Sequence, residues 1–298
     1  HRSVHAHAAR RVRDPRLRMA LSFHPLFIGG DPFHVTSMYA LVSHLESAFG
    51  VHYAMGGTAA IGRAMADVIE RQGGLLRFGA EADEIVRDPV TGRAAGVKLT
   101  TGEHVAADIV VSNADAGHTY DRLLRRAPRR RWTPRRLARS RWSMGLFVWY
   151  FGTRGTRGLW PEAGHHTIVS GPRYEGLVRD IFLAGRLAED MSLYVHRPSV
   201  TDPTTAPEGG DTFYALSPVP HLGKDAATDW QDMAERYRRR VAAVLEDRLL
   251  PGLSRHLTAS HVMTPLDFRD RYLSPYGAGF SIEPRILQSA WFRPHNVS

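Results

Sequence analysis

The stretch from residue 55 to residue 115 constrains the fold of this chain most, because its hydrophobic period changes there from helical to extended. Apolar residues first recur at helical spacing between two glycine pairs: Ile61, Met65, Val68 and Ile69. They predict a helix that begins after Gly56-Gly57 and ends at Gly73-Gly74. Short extended runs follow, separated by turn sequences, at residues 75–78, 82–87, 94–99 and 103–107. The stretch therefore predicts one helix followed by a β-meander.

A near-continuous apolar run at residues 108–112 comes next and predicts a strand that is buried on both faces. This run stops at Asn113, Ala114 and Asp115. A buried strand that ends in small polar residues brings its backbone to the carboxyl edge of a sheet, where α/β folds bind ligands. An ordinary exit from strand to loop has the same pattern, so the pattern alone names no ligand.

Composition limits the classes of protein. The 298 residues suffice for one large domain or two ordinary ones. The chain has no cysteine, which excludes disulfides, thiolate metal sites and cysteine nucleophiles and agrees with a reducing cytoplasm. Its net charge of +9 comes nearly all from arginine and favours anionic or phosphate-rich partners, although an arginine-rich proteome gives the same excess without any partner. The longest apolar run, residues 144–151, is too short to span a bilayer.

Apolar side chains crowd an irregular segment around Gly29-Gly30: Phe23, Leu26, Phe27, Ile28 and Phe33. Such a segment lines either a core or an apolar cavity. Behind it, Thr36 is a candidate N-cap for an amphipathic helix over residues 38–49.

Residues 122–141, called the basic stretch below, carry ten arginines interleaved with leucine and tryptophan. Arginine with tryptophan suits an anionic membrane surface. A solvated pair of helices has the same composition. A nucleic-acid interface would need the charges along one groove, and no recognisable DNA- or RNA-binding motif accompanies them.

The second half of the chain predicts a further sheet. Runs rich in aromatic and β-branched residues predict strands at residues 144–151, 165–170, 192–196 and 212–217. Residues 230–249 repeat apolar side chains at helical spacing and are ended by Pro251-Gly252, which predicts a long amphipathic helix.

Searches for known catalytic and metal-binding motifs are negative. The sixteen histidines include no H-E-x-x-H, and His165-His166 are too close in sequence to face each other as ligands, so we expect no metal. There is no G-x-G-x-x-G fingerprint, since Ile282 replaces the third glycine after Gly277 and Gly279. Glu283 stands where a nucleophile elbow at Ser281 would need its second glycine.

Three polar residues interrupt an apolar segment near the end of the chain: Glu283, Gln288 and Arg293. Polar groups in an apolar wall are costly to bury unless they are paired. They are therefore either functional or satisfied by one another, with Arg285 as a further partner for Glu283.

Residues 55–115 resemble the cofactor domain of the flavin-dependent family that includes amine oxidases and carotenoid desaturases. The motifs LSFHPLFIGGDPF and YALVSHLE are similar to those of bacterial-type phytoene desaturases. Further motifs match in order along almost the whole chain: MGGTAAIGRAM, VVSNADAGHTY, SMGLFVWYFG, HHTIVSGPRY, LAEDMSLYVHRPSVTDPTTAPEGGDTFYALSPVPHLG and FSIEPRILQSAWFRPHN.

The resemblance implies an α/β fold with part of a two-dinucleotide-binding, Rossmann-like FAD domain and a mixed-sheet α+β substrate domain. It divides the chain at residues 1–54, 55–118, 119–272 and 273–298, as substrate-domain helices, FAD-domain segment, substrate domain with basic membrane-facing helices, and a return segment toward the flavin. It places the first Rossmann turn ahead of His1 and a flavin segment after Ser298, so we expect a fragment that by itself binds FAD weakly or not at all.

The same resemblance implies FAD-dependent desaturation of phytoene, with electrons passed to quinone or oxygen, at a peripheral membrane location in the cytoplasm. Isomerase, ketolase and later-step desaturase activities are rivals within the family, and a non-catalytic arginine-rich surface-binding module is a rival outside it. We expect no nucleic-acid partner, and the oligomeric state is left open. The implied contacts with cofactor are Gly56, Gly57, Ala82, Asn113, Ala114 and Asp115. The substrate contacts are Phe23, His24, Phe27, Trp291 and Phe292, and the catalytic residues are Glu283, Gln288 and Arg293.

Overall fold

Two separate antiparallel sheets organise residues 2–129 and 131–294, which the computed structural model describes. The first has three strands in the order β1-β2-β3, and the second has five in the order β5-β6-β7-β4-β8. The strands are β1 Ala82–Arg87, β2 Ala94–Leu99, β3 His104–Ala106, β4 Gly145–Thr153, β5 His166–Val169, β6 Leu193–His196, β7 Asp211–Val219 and β8 Leu257–Met263.

Helices precede, separate and follow these strands. Their bounds are α1 Val4–Ala9, α2 Pro15–Ala20, α3 Leu41–Phe49, α4 Thr58–Arg71, α5 Ala116–His118, α6 Pro134–Arg139, α7 Tyr174–Arg179, α8 Trp230–Arg248, α9 Leu253–His256 and α10 Pro265–Asp270. Thr36 is the predicted N-cap: its side chain accepts a hydrogen bond from Met38, and a 3₁₀ turn there leads into α3. In the part of the chain that is described, no helix has the length and apolarity needed to cross a bilayer.

The predicted helix and meander both form, but two of the extended runs do not. Residues 75–78 and 108–112 belong to no strand, and Leu75, Phe78 and Val111 are each nearly 90% exposed. The prediction of a strand buried on both faces at 108–112 is therefore wrong. A strand of that kind needs neighbours along both edges and a layer over each face, and the described residues supply neither.

The five-stranded sheet contains the main core. The strands predicted at 144–151, 165–170, 192–196 and 212–217 correspond to β4, β5, β6 and β7, and the helix predicted at 230–249 is α8. One sheet face packs against α8, with Phe147 meeting both Trp230 and Tyr237. Ser217 on β7 and Tyr237 on α8 exchange a buried hydrogen bond of 2.8 Å, which joins the two layers. The sequence analysis did not predict β8.

The return segment runs antiparallel beside the start of β4. Ser143 donates its backbone N–H to Ser281, Gly279 donates to Met144, and Glu283 donates to Arg141, at 2.8 to 2.9 Å. Residues around Gly29 pack tightly on this pairing, because a Cβ there would lie 2.5 Å from the Cβ of Ser143. The irregular glycine-rich segment therefore fixes the position of the return segment.

The basic stretch is folded onto the rest of the chain. Trp132 and Trp142, whose presence favoured membrane contact, are buried at 3% and 4% exposure. Arg136 lies over the ring of Trp132, 4.3 Å from its centroid, and Arg125 bonds Asp83 on β1. These tryptophans cannot insert into a membrane surface, since they already fill the interior beneath the arginines.

Candidate functional site

An aromatic and imidazole row crosses the five-stranded sheet on the face opposite α8. Its members are directly paired across the strands: His166 with His196, His196 with Tyr214, Tyr214 with Tyr150, and Tyr150 with His261. Neighbouring rings in this row lie 4.8 to 6.2 Å apart. Side chains alternate between sheet faces, so these rings share one face while their sequence neighbours fill the core.

The predicted substrate contacts at the start of the chain meet this face. Phe27 packs edge-on against Tyr194 at 5.5 Å, and Tyr194 packs on Tyr214 at 5.6 Å. Phe23 in turn contacts Phe27 and stacks on His24 at 4.3 Å. The structure thus brings Phe23, His24 and Phe27 together beside the sheet. His24 Nε2 forms a hydrogen bond of 2.9 Å with Glu46 Oε2. Trp291 and Phe292 lie on the return segment, 77% and 47% exposed.

A histidine cluster stands at one end of the row. In the described residues, His165, His166 and His196 can each offer a ring nitrogen such that all three lie within 4.8 Å of one another. Burial lowers the pKa of His196 to about 4, with a further contribution from the charges of His165 and His166, and burial also lowers the pKa of both neighbours. The expectation of no metal rested on the His165-His166 pair alone, whereas His196, 30 residues after His166 in the chain, completes the cluster.

The three predicted catalytic residues differ in their surroundings. Glu283 is 2% exposed, accepts a hydrogen bond from Arg285 at 3.0 Å, and has a pKa that burial raises. Gln288 holds the main chain, accepting from the N–H of Arg141 and donating to the carbonyls of Arg141 and Glu283. Arg293 and Gln288 line a cavity of about 500 Å³ together with Ala116.

The return segment also carries unusual backbone conformations. Within the described residues, the non-glycine residues with positive φ all fall between 273 and 290: Leu273, Tyr276, Ser281 and Ala290. Left-handed conformations of this kind cost on the order of 1–3 kcal/mol each and tend to occur at functional sites. No local sequence pattern predicts these conformations, because residues such as leucine and tyrosine do not favour positive φ.

The turn predicted to meet a cofactor is ordered by its own side chain. Asp115 accepts from the N–H of Gly117 at 2.7 Å and from the hydroxyl of Ser274 at 3.2 Å. Gly117 and Ala82 line the same cavity, of about 750 Å³. A cavity of that size is in the range of small-molecule and cofactor sites. Ala82 thus lines this cavity with Gly117, which follows the turn, whereas Asn113, Ala114 and Asp115 are not among its lining residues. Contact of these residues with a cofactor stays a prediction.

The glycine pair lies elsewhere. Gly56 donates its N–H to Asp202 at 2.6 Å, and Gly57 is a left-handed N-cap without a side-chain partner at the start of α4. Tyr53, just before the pair, packs edge-on against His165 at 4.7 Å. The described contacts thus attach Gly56 and Gly57 to the histidine end of the sheet, and neither residue lines the cavity that contains Ala82.

The whole chain, residues 1–298, matches the family model described as flavin containing amine oxidoreductase. It is 68% identical over 297 residues to a neurosporene-forming phytoene desaturase of Cereibacter sphaeroides, covering 100% of this chain and 57% of that protein. It is 64% identical over 299 residues to the corresponding protein of Rhodobacter capsulatus, covering 100% of this chain and 56% of that protein. The chain therefore spans little more than half the length of these curated relatives.

Two solved structures are similar in fold. An oxidoreductase from Methanosarcina mazei gives a TM-score of 0.62 at 18% identity, covering 89% of this chain and 56% of that one. Cyclohexylamine oxidase from Brevibacterium oxydans gives 0.51 at 17% identity, covering 96% of this chain and 57% of that one. These similarities confirm the predicted α/β class.

Proposed function

The chain belongs to the family of flavin containing amine oxidoreductases, and on that premise we propose that it is part of an FAD-dependent desaturase of phytoene or of a related carotenoid precursor. The observation that carries the proposal is the 68% identity, across the whole of this chain, with a neurosporene-forming phytoene desaturase. The order of motifs on which the resemblance rested agrees with it.

The aromatic and imidazole row supports a long hydrocarbon substrate. Five strands spaced about 4.8 Å apart give the row a length of roughly 19 Å. Ring faces of Tyr214 and Tyr150 offer apolar contact without requiring a polar partner from the substrate. Phe23, His24 and Phe27 form a side wall at Tyr194, so an isoprenoid chain lying across the sheet would be held on two sides.

The residues around Ala82 and Asp115 fit part of an FAD site. The cavity of about 750 Å³ has room for an adenine, and the Ala82 backbone on its wall can serve as a contact whatever the side chain. The start of α4 after Gly57 lies outside this cavity; it has no side-chain cap, and such a helix start favours phosphate at a separate point of contact. When bound, FAD supplies the hydride acceptor that amino-acid side chains lack. Quinone or oxygen would serve as the electron acceptor.

The return segment supplies groups for orientation at the reacting end. Gln288 acts as a positioning residue, because its amide holds the main chain at Arg141 and Glu283. Arg293 lines the adjoining cavity, and Glu283 holds a buried carboxyl in low-dielectric surroundings. Each alanine variant should lower desaturation. An unchanged rate in all three would remove these residues from the site.

The protein works at the surface of a membrane, since its hydrocarbon substrate dissolves in lipid. Arg135 and Arg139 on α6 are exposed and can meet anionic headgroups, each contributing about 1 kcal/mol near the surface. Sedimentation with anionic vesicles should fall with salt and with the double variant Arg135→Gln/Arg139→Gln. Equal binding to neutral vesicles would contradict an electrostatic contact.

A chimaera tests the activity. Residues 1–298 replace the matching segment of the Cereibacter sphaeroides desaturase in cells that accumulate phytoene, with the unaltered enzyme as positive control. Coloured polyenes with lengthened conjugation support the proposal. A chimaera that retains flavin absorbance but leaves phytoene unchanged would refute it, and an isomerised or oxygenated product would identify one of the rival activities.

A further inference from the structure

The histidine cluster has the arrangement of a preformed metal site. His166 and His196 are direct cross-strand partners, and their rings stack at 5.3 Å with an angle of 18°. His165 lies just before β5, outside the strand alternation, so its ring can turn to the same side, 4.4 Å from His166 and 4.8 Å from His196. Three imidazoles therefore converge although two of them are adjacent in sequence.

The outer nitrogens of two rings are already engaged. His165 Nδ1 lies 2.5 Å from the hydroxyl of Thr201, and His166 Nδ1 lies 2.6 Å from the hydroxyl of Tyr194. Histidines that bind metals usually hold their second nitrogen in this way, which fixes the ring orientation. His196 keeps a buried Nδ1 that has no hydrogen-bond partner among the described residues.

The inner nitrogens are close to the separation that a metal requires. His165 Nε2 and His196 Nε2 lie 2.9 Å apart. Two nitrogens bound to a tetrahedral Zn²⁺ at about 2.0–2.1 Å are roughly 3.3 Å apart, so this pair needs to open by only about 0.4 Å. The third ligand atom, within 4.8 Å of the others, can close the remaining gap by side-chain rotation.

We propose that His165, His166 and His196 bind one divalent transition-metal ion of the class that prefers imidazole, such as Zn²⁺ or Cu²⁺. Three protein nitrogens leave a further coordination position, as in sites that keep a water or another ligand on the metal. His166 is the exposed member of the three, so that position is open to solvent.

The site is also joined to the glycine pair Gly56-Gly57 ahead of α4. Tyr53 packs on His165, and Asp202, next to Thr201, accepts the N–H of Gly56. An ion that fixes His165 and Thr201 thereby also restrains the start of α4. This coupling follows from contacts between the chain's own residues and needs no flavin.

The untagged, metal-free chain is titrated with ZnCl₂ in a non-chelating buffer at neutral pH, and calorimetry records the heat of binding. Metal analysis after dialysis gives the number of ions bound per chain. We expect the unaltered chain to bind one Zn²⁺. Each of the variants His166→Asn and His196→Asn should bind Zn²⁺ with an affinity at least ~100-fold lower, because it lacks one of the three ligands. Thr201→Val, which removes only the outer partner of His165, should weaken binding by about 10- to 100-fold. With Cu²⁺ as probe, electron paramagnetic resonance should show coupling to several nitrogens.

His261→Asn is the matched control, because His261 lies in the same row on the same sheet face but outside the cluster. It should keep the Zn²⁺ stoichiometry and affinity of the unaltered chain. Circular dichroism and unfolding midpoints identify variants that fail to fold, and Thr201→Val keeps the test independent of ligand loss. Absence of a stoichiometric ion, or an equal loss in His261→Asn, would show that the cluster is a hydrogen-bonded imidazole group and would overturn the proposal.

Discussion

Arg197 and Asp211 form a buried ion pair that anchors the histidine end of the sheet, and its disruption should be costly. Arg197 Nε and Nη2 donate to the two carboxylate oxygens of Asp211 at 3.1 and 2.8 Å, and both residues are under 5% exposed. Arg197 Nη1 also donates to the carbonyls of Trp160 and Ala163. The backbone N–H of Arg197 donates a hydrogen bond of 2.9 Å to the backbone carbonyl of His165.

Arg197→Met keeps most of the side-chain volume and removes the charge. Removing one partner of a buried pair leaves the other uncompensated and costs about 3–5 kcal/mol of unfolding free energy. Ser199 and Thr156 still donate to Asp211, at 2.6 and 2.7 Å, so we expect the lower part of that range at neutral pH. The unfolding midpoint should fall by roughly 6 °C or more.

The loss should also depend on pH. Burial acts to raise the pKa of Asp211, but hydrogen bonds from Arg197, Ser199 and Thr156 hold it below its usual range. In the unaltered chain this carboxylate therefore stabilises the fold above the unfolded pKa, and that stability is lost as pH falls through the folded value. Without Arg197 the pKa of Asp211 in the folded state rises, so Asp211 is protonated at a higher pH in the variant. The difference in unfolding free energy between the unaltered chain and Arg197→Met therefore becomes smaller from pH 7 toward pH 4.

Urea unfolding followed by circular dichroism at several pH values measures both effects. Arg269→Met is the control, since Arg269 pairs with Asp270 at the surface and both side chains are at least half exposed. Its loss should stay within about 0.5 kcal/mol. If Arg197→Met costs no more than this control, or if its cost is the same at pH 4 and pH 7, the reasoning about the buried pair is wrong.

Three further predictions concern single contacts. Gly29→Ala places a Cβ 2.5 Å from Ser143 Cβ, at a backbone φ of +76°. The variant should lose more than ~1 kcal/mol of unfolding free energy, measured by urea titration. An unchanged unfolding free energy would contradict this. Glu283→Gln removes a carboxyl whose pKa is raised by burial. The unaltered chain should therefore lose stability as pH rises through that pKa, and the variant should not. Urea unfolding midpoints of the two proteins that run parallel from pH 4 to 8 would contradict this. Tyr237→Phe loses the bond to Ser217 and should cost about 1 kcal/mol by the same titration, with an unchanged midpoint counting against it.

Local patterns predicted most of the elements correctly. β4 and β7 follow from runs rich in aromatic and β-branched residues, and α8 follows from apolar residues at helical spacing. β8 was missed because its sequence, LTASHVM, mixes polar and apolar residues, and six of its seven residues are less than fully buried at the sheet edge. The meander was predicted in outline and failed only at residues 75–78 and 108–112.

The site depends on information that is not local. Strand register pairs Tyr150 with Tyr214 and His166 with His196, and no spacing in the sequence fixes that register. For the same reason the argument about His165-His166 could not include His196. Glu283 was expected to be either functional or paired, and its bond to Arg285 shows that it is paired, which leaves a role in catalysis a prediction.

The two faces of the five-stranded sheet explain how the same strands supply aromatic residues both to the core and to the candidate site. Phe147 and Trp149 are fully buried and Phe213 nearly so, on the face that α8 covers. Tyr150 and Tyr214 follow them directly in sequence and point to the other face, where Tyr150 is 40% exposed. A register shift of one residue in β4 or β7 would exchange the core-facing and the row-facing side chains and place phenol hydroxyls in the core without partners. The alternation therefore couples stability to the proposed substrate surface, because the packing of α8 on one face holds the row in register on the other.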